Sequence, residues 1–219
     1  MGKLIQDFYN ANEAFNYFWN EIPKIGIDFD NTKAIFNVGF TLHNPVDNHI
    51  KAEFRGWNHL YAESEWQWYL TGDPNIDMLG RLYGKIPPIW EKMADANREV
   101  RSNYGHQWKR NGQLNYAIQK LRDKQDTRHA IISIYDGKEA SSRYMFDTPC
   151  TNAIHFQVMD NKLHMSVMMR SNDLWYGFCN DQYCFSKLHE LVCKQIEIPI
   201  GWYYHFVTNM HIYNDKIKK

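Results

Sequence analysis

No CxxC pair occurs in this sequence. Its four cysteines stand at 150, 179, 184 and 193, and no histidine pair completes a tetrahedral zinc set with them, so no metal centre is expected. No charged-then-apolar leader is present in the opening MGKLIQDFYN, and no window approaches the roughly 18 continuous apolar residues of a membrane span. The expectation is a cytoplasmic chain with reduced thiols and no membrane partner. Charge of either sign is also missing in excess: Lys+Arg and Asp+Glu are both 25, which leaves no basic field for a nucleic-acid polymer. Any anion bound here has to meet local arginines. Repeats, low-complexity tracts and linkers are absent, and 219 residues fit one domain, 1–219.

Aromatic residues, in contrast, are plentiful at 16%, with 8 Trp and 14 Tyr. Most serve as core filler, although the same rings make stacking walls for flat ligands. Apolar spacing predicts a helix over IQDFYNANEAFNYFWNEI, a strand over KAIFNVGFTLHNP and a helix over NHLYAESEWQWYLTG that stops near Gly72. The stretch from Pro74 to Val100 reads as irregular, broken at Pro87 and Pro88, with a short helix after them. A further helix is predicted over NGQLNYAIQKLRDKQDTR. The period then drops to two: HAIISIYD, NAIHFQVMD and KLHMSVMMRS read as strands, with Asp160 and Asn161 in a tight hairpin between the last two. DQYCFSKLHELVCKQI returns to helix and GWYYHFVTNMHIY to strand, which together predict an α+β domain.

Cys150, between Pro149 and Thr151, is the candidate nucleophile. A single cysteine is more often an inert core residue, but Pro149 stiffens its approach and Arg170 lies one hairpin away, where a cation lowers a thiol pKa. Arg170-Ser171 has the form of an anion clamp, a guanidinium fork beside a hydroxyl, or else of a surface salt bridge. Asn172, Asp173, Asn180 and Asp181 flank the apolar LWYGF either as turn formers or as polar groups awaiting a ligand. Glu65, Trp90, Tyr104, Arg128, His211 and Tyr213 each have an ordinary structural reading as well. The residues alone reach a nucleotide-sized anion as ligand and name no reaction.

The ordered set EWQWYLTGDPNI, PPIW, SNYGHQW, DTRHAIIS, PCTN, MRSND, YGFCND and MHIY resembles the thymidylate synthase and deoxycytidylate hydroxymethylase superfamily, from about Glu65 to Tyr213. The resemblance implies a central mixed or antiparallel sheet with helices packed on it, a homodimer formed through the sheet, and 5,10-methylenetetrahydrofolate as co-substrate. It gives Cys150 the role of adding to C6 of a pyrimidine and making C5 nucleophilic. Arg170 and Ser171 match the phosphate clamp, Arg128 an arginine that reaches the partner's phosphate, and His211 and Tyr213 partners of the ribose hydroxyl. Glu65 matches the carboxylate that manages proton transfers through water, and Tyr104 the residue near the departing C5 proton. Trp90, Asp173 and Gly177 fall on the folate side, Asn172 on the nucleotide side.

Asp181 matches an asparagine of the synthase branch. An amide suits the uracil edge; a carboxyl group suits cytosine, accepting from N4–H and sharing a proton with N3. This substitution, Thr151 in place of the usual histidine, Met93 in place of a tryptophan and the RSND spelling resemble the phage hydroxymethylase branch. The implied reaction is formation of 5-hydroxymethyl-dCMP from dCMP, water and methylenetetrahydrofolate, in a host cytoplasm if phage-encoded. Reductive methylation by a thymidylate synthase or dCMP C5-methyltransferase, and a silent nucleotide-binding homologue, are the alternatives. His129 departs from a second phosphate arginine, Lys33 stands as a candidate N-terminal phosphate residue, and with so few residues after Tyr213 closure over folate is expected to come from elsewhere.

Overall fold

Asn10 separates a strand from a helix where the sequence predicts one continuous helix. In the computed structural model, which describes residues 5–140 and 147–217, Ile5–Phe8 form strand β1 and Ala11–Ile25 form helix α1. The Asn10 side chain accepts from the Glu13 N–H, the N-cap geometry that starts a helix. Ahead of that cap, β1 pairs in parallel with residues 39–42. Periodicity read the aromatic run correctly; a cap and a distant strand decide where the helix begins.

Strand β2 (Ile27–Phe29) turns into β3 (Thr32–Leu42), and α2 (His59–Thr71) ends at Gly72 in the left-handed conformation, as predicted. The stretch expected to be irregular contains α3 (Ile76–Tyr83), capped by Asn75 and closed by Gly84, before α4 (Pro88–Met93). Helix α5 (Tyr104–Lys109) precedes α6 (Gln113–Asp123), which stops short of its predicted end because Lys124 is extended at φ −158°. Strand β4 (Ile131–Ser133) and the short α7 (Gly137–Ala140) follow. Strands β5 (Thr151–Met159) and β6 (Lys162–Met169) form the expected hairpin, with Asp160 and Asn161 at φ 50° and 57°. After β7 (Asn172–Asp173), one π-helical turn over Leu174–Phe178 leads into α8 (Cys179–Ile196), β8 (Ile200–Tyr213) and α9 (Asn214–Ile217).

The sheet runs β1-β3-β8-β6-β5-β4, with β2 added to β3 and β7 to β8; β1/β3, β6/β8 and β7/β8 are parallel and the remaining pairs antiparallel. This is a mixed sheet of the kind the family resemblance implies, in an α+β domain. Helix α1 packs on β3 and β8, α6 on β4 and β5, and α8 on β6 and β8. Phe15, Phe18, Phe40, Phe156, Met165, Val167, Phe185 and Tyr203 are fully buried between these layers. On the other sheet face the register aligns Ile131, His155, Ser166, Tyr204 and Thr41 in one row. Those side chains are half-buried or, for Ile131, 48% exposed, and neighbouring Met168 is 36% exposed.

Gly105 shows why NYGHQW carries a glycine. A Cβ there would lie 1.9 Å from the Tyr69 carbonyl oxygen and 2.3 Å from its Cα, so α5 crosses α2 backbone against backbone. Neither atom can yield as a flexible side chain would. Gly105→Ala is expected to cost roughly 3 kcal/mol, a fall in Tm of about 6–12 °C in thermal unfolding. An unchanged Tm would refute so close an approach.

Candidate active site

The C-terminal part of the sheet and helices α2, α4 and α8 enclose a cavity of about 1480 Å³. It is lined by Glu65, Trp90, Tyr104, Cys150, Arg170, Ser171, Asn172, Asp173, Gly177, Asp181, His211 and Tyr213, residues spread over nearly 150 positions of sequence. Arg128 is the exception. It is exposed just before β4 and outside this cavity. Exposed His129 and half-buried Lys33, which pairs with Asp28 at 2.9 Å, are also outside.

Cys150 ends the loop that enters β5. The Arg170 N–H bonds back to the Cys150 carbonyl at 2.8 Å, while the guanidinium donates to the carbonyls of Pro149 (3.0 Å) and Thr148 (2.7 Å) and approaches Cys150 Sγ at 3.6 Å. The arginine thus pins the cysteine loop and faces the sulfur. Its pull on the thiol has the expected sign but is outweighed: burial pushes Cys150 up to about 11 against Arg170, and Asp181, Asp147 and Asp173 push the same way as burial. At neutral pH the sulfur therefore carries its proton.

Asp181 enters from the first turn of α8. Asn172 Nδ2 donates to its Oδ2 at 2.7 Å, and burial raises the carboxyl to about 7 despite that bond. Gly177 packs against this pair: a Cβ on it would come 3.0 Å from Asn172 Nδ2 and 3.1 Å from Asp181 Oδ2. Glu65, 5% exposed on α2, is raised to about 8, first by burial and then by Asp181. Two carboxyls therefore share one low-dielectric pocket, both able to hold a proton near neutral pH.

Tyr104 is buried at the start of α5, its phenol raised well above the ordinary range by burial. On β8, burial lowers His211 and keeps the ring neutral; Nδ1–H donates to Asn209 Oδ1 at 3.0 Å, which leaves Nε2 free as an acceptor for a hydroxyl. Asp173 has a structural task beside any binding one. It caps the π-helical turn, accepting from Trp175 N–H (3.1 Å) and Tyr176 N–H (2.6 Å), and burial raises it to about 6.

Several lining residues escape sequence reasoning. Asp147 accepts from the Ser102 N–H at 2.6 Å and from the Ser102 hydroxyl, tying the loop before Tyr104 to the loop before Cys150. Arg55 donates to the Trp175 carbonyl at 2.8 Å with its guanidinium 4.9 Å from that indole ring. Tyr61 and Tyr69 stand beside Glu65 on α2. Tyr61 and Tyr69 alone carried a legible signal, four positions before and four positions after Glu65 on one helix face.

The sheet and this cavity define a class, and comparison bears it out. The family model for thymidylate synthase matches residues 55–219, and the chain belongs to that family. Among relatives, it is 28% identical over 170 residues to the deoxyuridylate hydroxymethyltransferase of Pseudomonas phage M6, covering 75% of this chain and 47% of that protein. It is 32% identical over 143 residues to the deoxycytidylate 5-hydroxymethyltransferase of Enterobacteria phage T4, covering 61% and 55% respectively. The chain spans about half the length of these curated relatives. Its closeness to phage hydroxymethyltransferases is the one the motifs implied. Among the described residues no group of His, Cys, Asp and Glu could hold a metal ion, and no helix is long and apolar enough to cross a membrane.

Proposed function

We propose that the chain is a deoxycytidylate 5-hydroxymethyltransferase, forming 5-hydroxymethyl-dCMP from dCMP, water and 5,10-methylenetetrahydrofolate. The observation that carries this reading is the Asp181 carboxyl, held by Asn172 at 2.7 Å and raised to about 7, in the same cavity as Cys150 and Arg170. A carboxyl that holds a proton at neutral pH donates to cytosine N3 with one oxygen and accepts N4–H with the other. Against uracil the same edge leaves orphaned groups worth roughly 1–3 kcal/mol each.

The remaining residues take the following roles. Arg170 and Ser171 hold the phosphate, His211 Nε2 and Tyr213 the ribose hydroxyl. Cys150 adds to C6 while the proton at N3 draws charge from the ring, so that C5 becomes the carbon nucleophile. The cavity fits the co-substrate: about 1480 Å³ holds a nucleotide and a folate together, and its lining includes the flat indole of Trp90 as well as Asp173 and Gly177. When bound, methylenetetrahydrofolate supplies the one-carbon unit. Tyr104, un-ionised in its buried position, stands beside the C5 proton that departs to water, and Glu65, with a proton affinity near neutrality, to manage the water that becomes the new hydroxyl.

Residues 1–219 form one catalytic domain that works as a homodimer. The half-open sheet face with Ile131 and Met168 supports the pairing surface, and exposed Arg128 at its edge supports delivery of a guanidinium to the partner's phosphate site. Mass spectrometry of products from dCMP and from dUMP, each incubated with methylenetetrahydrofolate, tests the reading. A 5-hydroxymethyl product from dCMP is expected. A product from dUMP alone, or a methyl product accompanied by dihydrofolate, would overturn it.

A further inference from the structure

One hydroxyl in the cavity wall lies between two groups already placed in the site. Tyr61 OH accepts from Trp90 Nε1–H at 2.8 Å and lies 3.0 Å from Glu65 Oε1. All three side chains line the cavity, and Tyr61 and Glu65 are neighbours at i and i+4 on α2. The direction of this chain is dictated by chemistry. An indole N–H is a donor only, so the phenol oxygen must be the acceptor, and the phenol's single proton is left for Glu65.

We propose that Tyr61 is a positioning residue that couples the Trp90 wall to Glu65, holding Glu65 Oε1 as an acceptor so that an un-ionised Glu65 carries its proton on Oε2. The inference rests on the role given above to Glu65. It adds that contact at Trp90 is felt at the carboxyl: a flat heterocycle that shifts the indole alters what the Tyr61 hydroxyl accepts, and so how strongly it donates. Tyr83 backs the phenol ring edge-on at 5.1 Å, with Asn58 donating to its hydroxyl at 2.7 Å, so the ring has little freedom to turn away.

Other groups also act on Glu65. Tyr69, on the same helix, donates to the carboxyl, while Asp181 and Cys184 face it from α8. The phenol bonds favour the ionised form, Asp181 the un-ionised form. Loss of the Tyr61 hydroxyl therefore raises the proton affinity of Glu65, and loss of the indole N–H, which polarises that hydroxyl, acts in the same direction more weakly.

Infrared titration of the ligand-free protein with carbon-13 in its Glu carboxyls tests this, with Glu65→Gln identifying the band. Tyr61→Phe is expected to move the Glu65 midpoint upward by roughly one pH unit. Trp90→Phe is expected to move it upward by less, and to add nothing in the Tyr61→Phe background. An unmoved midpoint in Tyr61→Phe, or equal effects of Trp90→Phe with and without the Tyr61 hydroxyl, would overturn the coupling. No substrate enters this measurement, so its outcome is separate from whether dCMP or dUMP is turned over. In turnover the same Tyr61→Phe protein is expected to lose about tenfold in product formation, with dCMP affinity unchanged.

Discussion

Cys150→Ala is expected to abolish exchange of the dCMP C5 proton with solvent, a loss of about 10⁴-fold or more relative to the unmodified protein. The size follows from the absence of a substitute. Cys179, Cys184 and Cys193 are buried in or against α8; Cys179 points at the carbonyls of Leu174 and Trp175, Cys184 at that of Ala62, and burial pushes Cys179 and Cys193 to about 12. None lines the cavity. Without a sulfur at C6 the ring cannot pass charge to C5, however well the nucleotide binds. Calorimetry should therefore find dCMP affinity nearly unchanged in the variant while exchange monitored by NMR disappears. Residual exchange would remove Cys150 from its proposed role.

The acidities of the pair make this result pH-dependent in a defined way. The reactive form needs Cys150 ionised, which burial places at about 11, and Asp181 un-ionised, which burial places at about 7. Below about 7 the thiolate fraction rises tenfold per pH unit while Asp181 keeps its proton, so exchange rises with pH. Between the two values the thiolate still rises but the acid falls equally, and the rate levels off. The break near 7 belongs to Asp181.

Asp181→Asn carries the second large effect: dCMP and dUMP are expected to exchange rank, a swing of roughly 100-fold or more in kcat/KM. Asn172 decides how the new amide sits. Its Nδ2 donates at the place now occupied by Asp181 Oδ2, so the amide must turn its oxygen toward Asn172 and its nitrogen toward the ring. That presents a donor to uracil O4 and faces the cytosine N4 donor with another donor. The same variant should lose the break near pH 7, since an amide does not titrate there. A folded variant that still prefers dCMP would defeat the carboxyl-edge explanation.

Much of the frame was legible in the residues. Helix α2, the β5–β6 hairpin and β8 follow their periodicities, because a cap, a left-handed glycine and two left-handed turn residues are local devices that act within a few positions. Asn75 and Gly84 mark α3 just as locally but are outweighed by nearby prolines in a pattern reading. The N-terminal segment misled because β1 owes its form to strand β3, more than 30 residues away.

For the site, the motif order in the sequence by itself grouped Glu65, Cys150, Arg170, Asp181 and His211 as one proposed site, and all five line one cavity. Tertiary structure alone decided their working states. The Cys150 thiol rises although Arg170 stands beside it, because desolvation depends on everything packed around the sulfur and not on one neighbour. Asp147 and Tyr61 enter the site because loops and helices distant in sequence bring single hydrogen bonds to bear on it. Spacing along a chain encodes which side chains share a face; burial and long-range contact set which of them hold a proton, and toward what they point it.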